Sequence, residues 1–173
     1  MKPWQLALVL FLIPAIAFAA GIILMNRMAG PLKVREKPLN ERFGYSVQDV
    51  RNFWASLDKA NTLSVQERLL KYDLLFPILY GGALIISLLL ARSELGLHSR
   101  WNLVVIVVGI AMVADWTENY FLLQLLQSYV NNSIIMPDLM VVAIASIATR
   151  LKFLGLLGSG GTLLVYICKI LRA

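Results

Sequence analysis

Four stretches of this chain are long, apolar and nearly free of charge, and that feature constrains the fold more than any other. They run from about residue 5 to 25, 74 to 91, 101 to 126 and 139 to 171. Crossing about 30 Å of hydrocarbon takes about 20 consecutive apolar residues in a helix. No water is present there to satisfy loops or open sheet edges, so helices are the economical solution. The expected fold is all-α: an integral membrane four-helix bundle, one membrane domain over residues 1–173. Composition agrees. Hydrophobic residues make up 59% of the chain and charged residues 15%, and mean hydropathy is +0.73. An ordinary soluble domain is about 45–50% apolar and about 25% charged. A disordered chain and a nucleic-acid-binding tail are excluded.

The formal net charge of +6 fits basic residues flanking spans and resting on anionic headgroups. The expected partner is therefore the lipid bilayer, with other membrane subunits or a lipid-like ligand beside it, and no nucleic acid. Cys168 is the only cysteine, which removes any intramolecular disulfide and any thiol chemistry that needs a cysteine pair. His98 is the only histidine, which argues against bis-histidine haem and His-rich metal sites. No cofactor and no metal are expected.

Lys2 followed by apolar residues, with Ala17-Phe18-Ala19 as a small-x-small pattern, resembles a signal peptide. The apolar run continues through Ile22, Ile23, Leu24 and Met25, however. That length favours an uncleaved first span, with Pro14 as a kink.

The first connection covers residues 27–71. Gly30, Pro31 and Pro38 make its start irregular. Ser46 then caps an amphipathic helix, about residues 47–60, with Asp49 three positions on. Val47, Val50, Phe53, Trp54 and Leu57 form its apolar face. An interfacial helix anchored in lipid by Phe53 and Trp54 is the expectation; packing onto the other helices is the alternative. Ser64-Val65-Gln66-Glu67 reads as a second capping box, whose helix runs through Asp73 into the second span. Arg92 to Arg100 is a short turn holding Gly96 and His98, and Trp101 opens the third span. Asp138 caps the last helix. Its 33 residues would rise about 50 Å, so it must project, tilt or break. Gly155 and Ser159 suit close helix packing.

Four spans put both termini on one side. The short connections favour N-in, with Lys2, Arg92, Arg100, Lys169 and Arg172 inside. The first connection argues the other way, with nine basic residues from Arg27 to Lys71.

Ionisable groups inside hydrocarbon are costly, so each needs a partner or a job. Asp115 lies near the middle of the third run. Glu118 and Asn119 follow at i+3 and i+4 and share its face. The direction of each helix brings Asp73, Asp115, Glu118, Asn119, Thr149 and Lys152 into one half of the bundle, with Tyr80 and Arg150 in support. Three readings stay open. Lys152 or Arg150 pairs with a carboxylate and pins helices together. The cluster binds or carries a proton, a cation or a small polar headgroup. Or Asp115 and Glu118 act as acid and base on a lipid-soluble substrate. The leading expectation is a non-catalytic accessory subunit or small-ligand binder; a coupled transporter or a lipid-modifying enzyme is the alternative. No P-loop, dinucleotide fingerprint, nucleophile elbow or His-Glu-x-x-His occurs.

Gly44-Tyr45-Ser46, Asp73-x-x-Phe76-Pro77-x-x-Tyr80-Gly81, Asp115-x-x-Glu118-Asn119 and Thr149-x-x-Lys152 occur in this order. Over residues 44–152 the chain resembles a group of small four-span bacterial membrane proteins with no assigned activity. The resemblance implies the architecture, a bacterial cytoplasmic membrane location, and that these residues act together. It implies no mechanism.

Overall fold

The computed structural model describes residues 2–30, 32, 34, 36–97, 103–132 and 137–172. His98, Arg100, Trp101, Lys33 and Arg35 lie outside the described residues. The described residues form six α-helices and one short 3-10 turn, with no strand. The helices are α1 (Pro3–Ala29), α2 (Val47–Lys59), α3 (Leu63–Asp73), α4 (Phe76–Glu94), α5 (Leu103–Asn132) and α6 (Leu139–Arg172), and the 3-10 turn is Leu39–Glu41. Four helical stretches are long and apolar enough to cross a membrane, the second being α3 and α4 together. Their outward faces carry exposed Ile16, Ile23, Ile78, Ile86, Ile106, Val113, Ile147 and Leu157.

Pro14 sits inside α1, which continues through it. The second apolar stretch, by contrast, does not run straight through from α3 to α4. Residues 74 and 75 form a turn between α3 and α4. Pro77, in the first turn of α4, explains the break, because it has no N–H to give and its ring crowds the carbonyl four residues back. The Leu74 carbonyl is met instead by the Trp116 indole N–H at 2.7 Å. The expected Ser64 box does not start α3 either. The helix begins one residue before it, with Thr62 at the cap and no side-chain capping bond; the Thr62 hydroxyl donates back to the Leu57 carbonyl at 3.3 Å.

At α2 the expected Ser46–Asp49 box is present. The Asp49 amide donates to Ser46 Oγ at 3.2 Å and the Ser46 amide to Asp49 Oδ2 at 2.7 Å. The apolar face of α2 is spent on protein rather than lipid, however. Phe53 and Trp54 are both 0% exposed, in a core with Leu122, Leu125, Leu126, Val142 and Ala145. Two large aromatics buried so completely cannot serve as lipid anchors.

The last helix is continuous. Its 34 residues rise about 51 Å at 1.5 Å per residue, and breaking at its glycines is not how the length is absorbed. A Cβ on Gly155 would stand 2.8 Å from Ala111 Cβ and 3.3 Å from the Val107 carbonyl. That glycine lets α5 and α6 touch at the backbone. Gly158, Gly160 and Gly161 face open space.

The apolar interior falls into two layers. One lies where α2, the 3-10 turn and the adjoining ends of α5 and α6 meet, from Leu39 to Ala145. The other joins α1, α4, α5 and α6 through Leu10, Leu88, Val108 and Leu163. Along α5 and α6 the polar residues sit between these layers.

Candidate functional site: a lysine-centred polar layer

Asp115, Glu118, Asn119 and Leu122 line one stripe of α5 and are 2%, 0%, 0% and 0% exposed. The i, i+3, i+4, i+7 spacing does this directly. Thr149 and Lys152 come from α6 at 0% and 6%, Tyr80 from α4 at 3%, and Asp73 from the last turn of α3 at 4%.

Lys152 is the centre. Its ammonium donates to Glu118 Oε2 at 2.6 Å, to Asp115 Oδ1 at 3.2 Å and to the Asn40 carbonyl at 3.1 Å. An ammonium has three protons to give, and all three are placed. Each partner is held in turn. Tyr80 donates its hydroxyl to Asp115 Oδ2 at 2.9 Å, and Asn119 Nδ2 donates to Asp115 Oδ1 at 3.2 Å. The Thr149 hydroxyl donates to Glu118 Oε1. Asn40 Nδ2 donates to Asp73 Oδ2 at 2.8 Å. Three carboxyls and one ammonium thus tie α3, α4, α5, α6 and the first connection to one point.

Arg150 departs from expectation. It is exposed and lies against Gly44, not in the cluster. Two residues from Lys152 is about 200° around a helix, so the two side chains cannot share a face.

Asn40 and Ser146 belong to the site with no sequence pattern to mark them, and Tyr45, which the resemblance groups with these residues, joins them. Asn40 sits in a stretch without periodicity, so no pattern marks it; its position follows Leu39, which is 0% exposed. The Tyr45 amide donates to Ser146 Oγ at 2.9 Å. Its hydroxyl sits buried beside Thr149 and Glu118 without a well-formed hydrogen bond. Burial, and then the Glu118 charge, push that hydroxyl above the ordinary phenol range. Gly44 permits this approach. Its φ is +96°, in the left-handed region that favours glycine, and a Cβ there would meet Arg150 Nε at 2.7 Å and Ser146 Oγ at 3.1 Å.

Among the described residues no group of three His, Cys, Asp or Glu is placed to hold a metal ion. Compared with protein families, curated proteins and solved structures, the chain matches none.

Proposed function

We propose that the chain is a polytopic protein of the bacterial cytoplasmic membrane, akin to the four-span group it resembles. It is a non-catalytic accessory subunit or small-ligand binder, with both termini inside, and the lysine-centred layer locks its helices together. The observation that carries this reading is the saturation of Lys152, whose three protons go to three different partners. Acid–base chemistry or ion transfer at Asp115 and Glu118 would need those carboxyls open to substrate or water. They are 2% and 0% exposed and already hydrogen-bonded.

The depth of the lock follows from helix lengths. From Lys152 to Arg172, the end of α6, the helix rises about 30 Å, as much as the hydrocarbon needs. The 19 residues of α4 rise about 28 Å. The lock therefore belongs near one membrane boundary, and the extra length of α5 and α6 stands outside lipid, covered by α2. A buried ion pair costs less at that depth than at mid-membrane.

Two measurements test this. Alkaline carbonate washing of membranes leaves the chain in the pellet; release into the wash would remove the membrane placement. Lys152→Met loses stability in detergent, and adding Glu118→Gln recovers part of it; a single variant as stable as the parent removes the lock.

A further inference from the structure

A cleft of about 160 Å³ opens beside the lock, between α1, the first connection and α3. Gln66, Asn40 and Asp73 form its polar wall, the exposed Asn26 and Glu41 also line it, and Met25 and Leu69 form part of its apolar side. Gln66 is 1% exposed. Its amide oxygen, in a buried position, has no hydrogen-bond partner, and neither has Asn40 Oδ1. Buried polar groups are nearly always paired, so an orphan at a cleft wall points to something that binds there.

The unmet need has one sign. Both orphan atoms are acceptors. The titratable groups of the wall are carboxyls, Asp73 and Glu41, and no Lys or Arg is among the described residues lining it. Lys152 does not line the cleft, and its three protons go to Glu118, Asp115 and the Asn40 carbonyl. Asn40 Nδ2 donates to Asp73 Oδ2 at 2.8 Å, which leaves the Asn40 amide oxygen free to face the cleft. Such a wall repels anions and asks for a cation that donates several hydrogen bonds. The cleft is smaller than the roughly 300–1,000 Å³ of pockets for drug-sized ligands. It accepts a headgroup-sized cation, at the membrane boundary where headgroups sit.

We propose that this cleft binds a primary ammonium group, with Gln66 Oε1, Asn40 Oδ1 and the Asp73 carboxylate as acceptors. The group would come from an aminophospholipid headgroup or from a free alkylamine. This inference rests on the small-ligand reading above and names the ligand class. The lock does not depend on it, because Gln66 makes no contact with Lys152 among the bonds described.

The experiment uses the full-length protein in an amine-free buffer at constant ionic strength, with thermal unfolding followed by tryptophan fluorescence. Ethylammonium chloride is titrated against tetramethylammonium chloride and sodium chloride. A parallel arm compares nanodiscs of phosphatidylethanolamine with nanodiscs of phosphatidylcholine. Ethylammonium, phosphatidylethanolamine or both raise the Tm, saturably for the titrated amine, and the matched controls do not. The arm that responds identifies the source. Gln66→Leu loses at least tenfold in apparent affinity while the unliganded protein is no less stable than the parent. Leu69→Phe, which narrows the cleft without touching a polar group, also weakens the response and keeps the test valid should Gln66→Leu misfold. An equal response to tetramethylammonium or sodium, no response in either arm, or an unchanged response in both variants would overturn the proposal. Those failures leave the Lys152→Met result untouched, so the two readings fall separately.

Discussion

Lys152→Met isolates what the lock contributes. The substitution keeps an unbranched apolar stem in the space of the lysine chain, so cavity effects are small. It removes the ammonium paired with Asp115 and Glu118 and takes a donor from the Asn40 carbonyl. Breaking a buried ion pair by deleting one partner costs about 3–5 kcal/mol in soluble proteins, because the other charge stays buried. Interhelical hydrogen bonds in membrane proteins average only about 0.6 kcal/mol, because the unfolded chain also finds partners in the membrane. Lys152 makes three contacts, two of them to carboxylates, so the expected loss is about 3 kcal/mol, at the low end of the ion-pair range. Glu118→Gln in the same background removes a stranded charge and keeps an acceptor for Thr149. It should return about 1–2 kcal/mol, which is a coupling of the size found between contacting residues. The assay is equilibrium unfolding in mixed micelles against the mole fraction of sodium dodecyl sulfate, read by tryptophan fluorescence. A loss under about 0.5 kcal/mol, typical of surface positions, would refute the reasoning, as would losses that simply add.

Three further outcomes follow from the packing. Gly155→Val should destabilise by about 1–3 kcal/mol through overpacking against Ala111, whereas Gly158→Ala, which faces open space, should be close to neutral in the same unfolding assay. Trp116→Phe should cost about 1 kcal/mol by leaving the Leu74 carbonyl unmet at the break before α4. The Ser46 hydroxyl, then the Ser46 amide, hold the Asp49 carboxyl below its ordinary value of 3.8. A lowered folded-state value means a contribution to stability that is present above pH 3.8 and lost as pH falls through the lowered value. NMR titration of the Asp49 carboxyl should therefore give a midpoint below 3.8 in the parent, moving back towards it in Ser46→Ala.

Sequence patterns made the long helices and the α5 stripe legible because both depend on local periodicity. Asp115, Glu118 and Asn119 had to share a face wherever the helix went, and the basic pair Arg150 and Lys152 offered a partner from the last helix. Arg150 carries the same charge but lies about 200° around the helix from Lys152, and that angle, not its charge, sets its direction. Phe53 and Trp54 show a different limit. An amphipathic face looks the same whether lipid or protein covers it, and only the surplus length of α5 and α6 distinguishes the two. Asn40 was invisible for a third reason. Its role depends on where an aperiodic segment returns to the bundle, and nothing local encodes that.

That return also explains why a charged lock is useful in a bundle of this composition. Faces of Leu, Ile and Val in lipid offer many near-equivalent packings, since lipid tails cover an apolar stripe as well as another helix does. Shifting α6 by one turn against α5 would move Lys152 about 5.4 Å, far outside hydrogen-bond reach of both carboxylates, while much of the apolar contact could re-form. The ion pair therefore separates one register from its neighbours more sharply than the apolar layers do. The third Lys152 proton extends the same discrimination to the first connection. The Asn40 carbonyl accepts it only when the 3-10 turn is seated, and seating that turn places the Asn40 side chain on Asp73 at the mouth of α4. One ammonium thus couples helix register to closure of the connection, and the cleft wall at Asn40, Gln66 and Asp73 is formed as a consequence.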